Sequence, residues 1–243
     1  MIVLFTDFGL EGPYTGQVKA VLAREAPSVM AVDLMADAPM QRPKEAAYLL
    51  AAYASGFPED SVFLCVVDPG VGTGRPAEAV RIDGHWFVGP GNGLFEPLLR
   101  RAKRVDAFAI VAPGAISASF HGRDLFAPVA AKLARGLAPG TIGLTQAAPF
   151  RCPDWPDDLA AIVYVDRYGN AMTGLRAAAL PAGAALGVGG KNYRRARTFG
   201  EVPAGDAFWY ENANGLAEIA VNRGRADAMP GVILGAPVAI GAL

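Results

Sequence analysis

Three short apolar runs, Ile2–Phe5, Val29–Leu34 and Ser61–Val67, alternate with two stretches whose apolar residues recur at helical spacing. In the first of these, Gly16–Ala26, the residues Val18, Val21, Leu22 and Ala26 share one face and Pro27 closes the segment; the second, Lys44–Ser55, ends at Gly56. Strands that are apolar throughout are typical of parallel sheets, which are covered on both faces by crossover helices. The alternation therefore predicts a Rossmann-like α/β domain with a mostly parallel sheet. Val80–Ile82 and Trp86–Val88 flank Asp83-Gly84, a dipeptide suited to the positive φ of a tight turn, and predict a hairpin. A helix over Leu94–Arg101, a strand over Val105–Val111 and a helix over Asp124–Arg135, closed by Gly136, complete this part.

The pattern changes after Pro139. Residues 150–158 are polar, carry two prolines and predict a linker. Beyond them, Leu159–Val165, Ala184–Val188, Ala207–Tyr210, Leu216–Val221 and Val238–Ile240 predict short strands punctuated by glycine, with weak helical periodicity. Two domains are expected: α/β over 1–149 and a small all-β, barrel-like domain over 159–243.

Composition narrows the function. With 22 Lys+Arg against 23 Asp+Glu, a net charge of −1 and 52% apolar residues, the 243-residue chain is neither disordered nor built to coat nucleic acid or an anionic membrane. The least charged segments, Ala107–Phe120 and Leu180–Gly190, fall short of the roughly 20 apolar residues of a membrane span. The first residues run into a core strand without a basic leader, so no signal peptide is expected. Cys65 lies in an apolar run and Cys152 in a Pro-rich turn; no disulfide framework and a cytoplasmic location are expected. The two histidines, His85 and His121, and the two cysteines lack zinc-site spacing, so no metal is expected.

Asp7 and Asp68 each follow a predicted strand directly, which places two carboxylates at the sheet edge where α/β proteins bind ligands. An Asx turn in Thr6-Asp-Phe-Gly9 would equally explain Asp7. Asp68 opens the glycine-laden loop Asp68-Pro-Gly-Val-Gly-Thr-Gly-Arg75, which is neither a Walker loop nor a dinucleotide fingerprint. Its glycines permit close backbone approach, and Arg75 adds a fixed positive charge. His121 precedes a predicted helix at the same edge, whereas His85, beside the hairpin turn, reads as structural. Lys191–Arg195 reads as a solvated edge strand.

Taken in order, Thr6-Asp-Phe-Gly9, Val67-Asp-Pro-Gly-Val-Gly-Thr73 with Arg75, Gly89-Pro-Gly-Asn-Gly93, Phe120-His-Gly-Arg-Asp124, Asp166-Arg-Tyr-Gly-Asn170 and Glu218-Ile-Ala-Val-Asn222 form a set. The chain thereby resembles, over nearly its whole length, the S-adenosyl-L-methionine hydroxide adenosyltransferase family, relatives of the fluorinase and chlorinase enzymes. The resemblance implies hydrolysis of S-adenosyl-L-methionine to adenosine and methionine without cofactor, by a homotrimer with sites between subunits. It implies that Asp68, Arg75 and His121 position and activate water and that Asp7 holds the ribose hydroxyls. Asp166 would pair with the methionine ammonium, Asn170 would read the adenine edge, and Tyr168 would stack on the ring. Phe120, Glu218 and Val221 would line the pocket. Three departures, Gly91 for Asp, Gly174 for Asn and Ala213 for Ser, bear on affinity more than on reaction type.

The chemistry fits these residue types. A sulfonium departs as a neutral thioether and needs no acid, so the enzyme has to supply a nucleophile at the ribose 5′ carbon. Water, with a pKa of about 15.7, is scarce as hydroxide at neutral pH. Asp68 or His121 would take its proton, and the residues alone leave open which one. A halide-using adenosyl transferase and a non-catalytic nucleoside sensor are the alternatives. The carboxylate of Asp68 disfavours a halide, and the intact triad disfavours a sensor.

Overall fold

The computed structural model describes residues 1–112 and 114–242, which form two compact units, Met1–Pro153 and Asp154–Leu243. The first unit contains strands β1 (Ile2–Thr6), β2 (Ala31–Met35), β3 (Val62–Val66), β4 (Ala77–Ile82), β5 (His85–Pro90), β6 (Val105–Ala109) and β7 (Thr145–Gln146). Its helices are α1 (Tyr14–Glu25), α2 (Pro43–Tyr53), α3 (Glu96–Arg101) and α4 (Ala127–Ala134). The strands form one sheet of order β2-β1-β3-β5-β4-β6-β7. The first four in that order run parallel, β6 shares their direction, and β4 and β7 oppose them. A mostly parallel sheet is what the continuous apolar runs called for.

The reversal at β4 comes from the hairpin. Asp83 and Gly84 both take positive φ (46° and 101°), the geometry of a two-residue turn matched to strand twist. The Asp83 carboxylate also accepts the N–H groups of Lys103 and Arg104 at 3.0 and 2.9 Å, tying the turn to the start of β6.

Alternation along the strands sorts the core into two layers. Ile2, Leu4, Val62, Leu64 and Val88 pack with Val18 and Leu22 of α1 and Ala130 of α4. On the opposite face Phe63 stacks on Phe87 at 4.8 Å, and Phe87 meets Phe95 just ahead of α3. Burying a side chain of this size contributes roughly 1.5–3 kcal/mol.

The helix expected over Asp124–Arg135 begins differently. Gly122–Phe126 is a π-turn, in which Ala127 N–H bonds Gly122 C=O five residues back, and regular α-helix starts only at Ala127. Residues 150–152, near the end of the first unit, are held by two glutamates of its strands and helices. Phe150 N–H donates to Glu78 at 2.9 Å and Cys152 N–H to Glu96 at 2.8 Å, while Arg151 and Arg100 also pair with Glu96. Burial alone would raise the Glu96 carboxyl, but the Arg151 and Cys152 hydrogen bonds and the Arg100 charge hold it below the usual carboxylate value.

The second unit is antiparallel. It consists of β8 (Leu159–Val165), β9 (Ala171–Arg176), β10 (Ala184–Val188), β11 (Lys191–Tyr193), β12 (Ala207–Glu211), β13 (Leu216–Val221) and β14 (Ala239–Ala242). These form a four-stranded sheet, β12-β13-β9-β8, and a three-stranded one, β11-β10-β14. Isolated bridges also link Ala161 to Pro237 and Arg195 to Trp209. Among the described residues no helix is long and apolar enough to cross a membrane.

Candidate active site

Asp7 and Asp68 leave neighbouring parallel strands. Thr6 pairs in register with Val66, and Asp7 N–H donates to the Val66 carbonyl at 3.2 Å. The chain winds from β1 to β2 on one side and then returns to β3 on the other, so a crevice opens between β1 and β3 at their carboxyl ends. A cavity of about 80 Å³ lies there, lined in part by Asp7, Phe8, Asp68, Ser119, Phe120 and His121.

Arg75 organises this cluster. Its Nε donates to Asp68 Oδ1 at 2.8 Å and its Nη2 to Asp68 Oδ2, a bidentate fork that a lysine could not reproduce. Nη1 donates to Pro76 O at 2.9 Å, and the guanidinium carbon lies 5.2 Å from the centre of the Phe126 ring. The pair is nearly closed to solvent, with side chains 10% and 4% exposed. Arg75 Nη2 also lies 3.0 Å from His121 Nδ1. A guanidinium only donates, so Nδ1 is the acceptor and the neutral ring carries its proton on Nε2. One of the loop's glycines is required by a neighbouring carbonyl. Gly72 has φ +76°, and a Cβ there would lie 2.6 Å from Ala118 O, so the close approach is by that carbonyl.

Asp7 Oδ2 accepts the Gln41 N–H at 2.9 Å, delivered by a non-glycine residue at φ 56°. Burial raises the Asp7 carboxyl above its ordinary value and the Asp68 charge adds to this, while the Gln41 N–H opposes them. Phe120 meets Phe8 and Tyr14 edge-on at 5.8 and 5.4 Å. Sequence reasoning missed both partners, although Phe8 lies inside the first motif. His85 Nε2 sits 3.1 Å from Pro58 O and 3.3 Å from Phe57 O, a structural role consistent with the reading from sequence.

The other named residues belong to the second unit. Asp166 and Asn170 close the turn between β8 and β9, with Asn170 N–H donating to Asp166 Oδ1 at 2.8 Å. Gly169, at φ +84°, brings its carbonyl to the N–H groups of Ala226 and Asp227 at 2.9 and 3.0 Å. A cavity of about 650 Å³ is lined in part by Asp166, Tyr168, Asn170, Phe199, Tyr210 and Val221, and Tyr168 is 77% exposed. Glu218 does not line this cavity. It is buried on β13 and accepts from Tyr210 Oη at 2.5 Å and Asn212 Nδ2 at 2.8 Å. Burial pushes its carboxyl above the ordinary value against those donors. Tyr210 and Asn212 were not singled out as site residues; the alternation of β12 offers the only sequence signal for Tyr210.

At two of the departures named above, a side chain larger than glycine has no room on this backbone. A Cβ at Gly91 would lie 2.9 Å from Pro76 Cγ, and one at Gly174 would lie 2.7 Å from Leu159 Cβ. Ala213 is exposed in the turn between β12 and β13.

The sheet, its switch-point crevice and the charged cluster beside it define an α/β protein with a polar candidate site at the carboxyl ends of its parallel strands. The chain belongs to the SAM hydroxide adenosyltransferase family, whose N-terminal domain matches residues 2–143 and whose C-terminal domain matches residues 160–239. It is 42% identical to an (R)-S-adenosyl-L-methionine hydrolase of Thermus thermophilus, over 98% of both chains. A Salinispora arenicola protein of the same name is 36% identical over 91% of this chain and 90% of its own. A crystal structure of a Thermotoga maritima protein superposes with a TM-score of 0.89 at 30% identity, covering 99% of this chain and all of that one.

Proposed function

We propose that this protein hydrolyses S-adenosyl-L-methionine to adenosine and L-methionine, with Asp68, Arg75 and His121 handling the water. The observation that carries this reading is the contiguous Asp68–Arg75–His121 cluster beside Asp7 at the switch point. In the reaction the water oxygen bonds to the ribose 5′ carbon as the C5′–S bond breaks. The bonding pair leaves with sulfur, giving the neutral thioether of methionine. His121 Nδ1 is engaged by Arg75, so Nε2–H orients the water oxygen as a donor. Asp68, which lines the cavity, then takes the proton, because it alone of the three retains acceptor capacity beyond the bonds from Arg75. A water already bonding to carbon is far more acidic than free water, and a carboxylate suffices. The neutral leaving group requires neither metal nor organic cofactor.

The second-unit residues complete the reading as the resemblance assigns them: Asp166 to the ammonium, Asn170 and Tyr168 to adenine, and Val221 to the cavity wall. Glu218 acts by fixing Tyr210, and Asp7 takes the ribose hydroxyls. The bridges Ala161–Pro237 and Arg195–Trp209 support a closed, barrel-like second domain, since they connect the outer strands β8 and β12 of one sheet to residues flanking the outer strands β14 and β11 of the other. The free cysteines, one of them fully buried, suit a cytoplasmic location.

The relatives named above are (R)-S-adenosyl-L-methionine hydrolases, so the sulfonium epimer is the sharpest test. The (R) epimer is expected to turn over at least about tenfold faster than the (S) epimer, roughly 1.4 kcal/mol of discrimination. In isotope-labelled water the label should enter the 5′-hydroxyl of adenosine, and saturating chloride should yield no 5′-chloro product. Chromatography and mass spectrometry of the same reactions decide both points, and a dominant halogenated nucleoside would reject hydrolysis. The homotrimer with sites between subunits is what the resemblance implies, and the exposed apolar side chains Leu10, Tyr14 and Met40, close in sequence to Asp7 and Gln41, suit a subunit contact there. Light scattering should report three chains per particle; an active monomer would refute the assembly.

A further inference from the structure

We propose that Asn92 is a positioning residue for Asp68 and Arg75, acting through the two ends of the loop that carries them; this rests on the hydrolytic reading above. The loop begins after Val67 and ends before Pro76. Asn92 Nδ2 donates to the Val67 carbonyl at 2.9 Å, and the adjacent Gly91 N–H donates to the Pro76 carbonyl at 2.9 Å. One short segment after β5 thus grips both ends of a loop whose own backbone bonds are local. Thr73 N–H and Oγ1 bond Gly70 O at 3.1 and 2.7 Å, and Gly72, Thr73 and Gly74 are exposed.

The grip bears directly on the reacting groups. Pro76 O accepts from Gly91 and also from Arg75 Nη1, so the same carbonyl that anchors the loop fixes the guanidinium. Val67 immediately precedes Asp68, and a shift of its carbonyl carries the Asp68 backbone with it. The amide of Asn92 is oriented by its other end, where Oδ1 accepts Leu94 N–H at 3.3 Å and leaves Nδ2 facing Val67. Closing its own turn needs only that Oδ1 acceptor. The donor arm reaches 25 residues back along the chain and does nothing for the local turn. A misplacement of about 1 Å at a reacting group costs up to about 100-fold in rate.

The test separates the two ends of the amide. Asn92→Asp keeps the Oδ1 acceptor and removes the donor, and Asn92→Ala removes both. Both are expected to lower kcat on the (R) epimer by about 10- to 100-fold, with KM within threefold and adenosine affinity by calorimetry within twofold of wild type. Should Asn92→Asp fail to fold, Asn92→Ser, whose hydroxyl is too short to span the gap, takes its place under the same criteria. Asn92→Asp retaining kcat within threefold overturns the proposal, and so does a loss of kcat matched by an equal loss of adenosine affinity. The ¹⁵N shifts of the His121 ring supply a readout independent of turnover. They should change in Asn92→Asp as the Arg75 contact to Nδ1 loosens, and unchanged shifts overturn the proposal even if wild type hydrolyses neither epimer. Wild-type inactivity alone counts against the hydrolytic reading instead.

Discussion

Asp68→Asn, Arg75→Ala and His121→Gln are each expected to lower kcat by about 100- to 10,000-fold while leaving adenosine affinity within threefold of wild type. The split follows from where the groups sit. All three belong to the closed cluster around Arg75, whereas the residues assigned to adenine lie on the second unit. Arg75→Lys should fare little better than Arg75→Ala, since a lysine cannot hold both Asp68 oxygens and His121 Nδ1 from one planar group. The three also act as a unit, so the Asp68→Asn/His121→Gln double variant should cost about as much as the worse single one. Steady-state kinetics with parallel calorimetry measure this. Near wild-type turnover in all three would dismiss the cluster as the reaction centre.

The largest effect on stability is expected at Glu78. Glu78 is 5% exposed on β4 and accepts the Phe150 N–H, and burial pushes its carboxyl up to about 7. Between its ordinary value of 4.5 and about 7, the folded protein keeps a proton that the unfolded chain has lost. Stability from this group is therefore full below the unfolded value and falls as pH rises through the folded one, by about 3 kcal/mol in all at about 1.36 kcal/mol per pH unit. Glu78→Gln keeps an acceptor for Phe150 without the charge. It should leave the thermal midpoint unchanged near pH 4 and raise it at pH 8. Equal midpoints of wild type and variant at pH 8 would show that the charge is accommodated without penalty.

Much of the first unit was legible because burial on both faces leaves a strong mark: Ile2–Thr6 and Val62–Val66 are buried at every position and apolar almost throughout. Two strands escaped: β7 is only two residues long, and β9, buried at all but its last position, reads Ala-Met-Thr-Gly-Leu-Arg, with an alanine and a glycine where bulk was expected. Its Gly174 is required by Leu159 on β8, a cross-strand constraint with no local signature. Asp7 and Asp68 could be placed at one sheet edge from strand ends, and His121 from the predicted helix it precedes. The contact between Arg75 and His121 spans 46 residues and depends on a loop conformation that no spacing encodes. The polar stretch after Pro149 reads as a linker, because the two glutamates that hold residues 150–152 lie on β4 and α3, far away in sequence.

The π-turn at Gly122–Phe126 makes the aim of His121 a matter of counting residues. The turn carries one residue more than an α-helical turn would, and α4 behind it is locked into the sheet by Ala127, Ala130, Ala131 and Leu133. Removing a single residue from the turn would let it relax to the ordinary helical period and would swing whatever precedes it by about 100°. The imidazole would then point away from Arg75 although every contacting residue type survived. Lineages that gain or lose one residue here should therefore change reaction or fall silent.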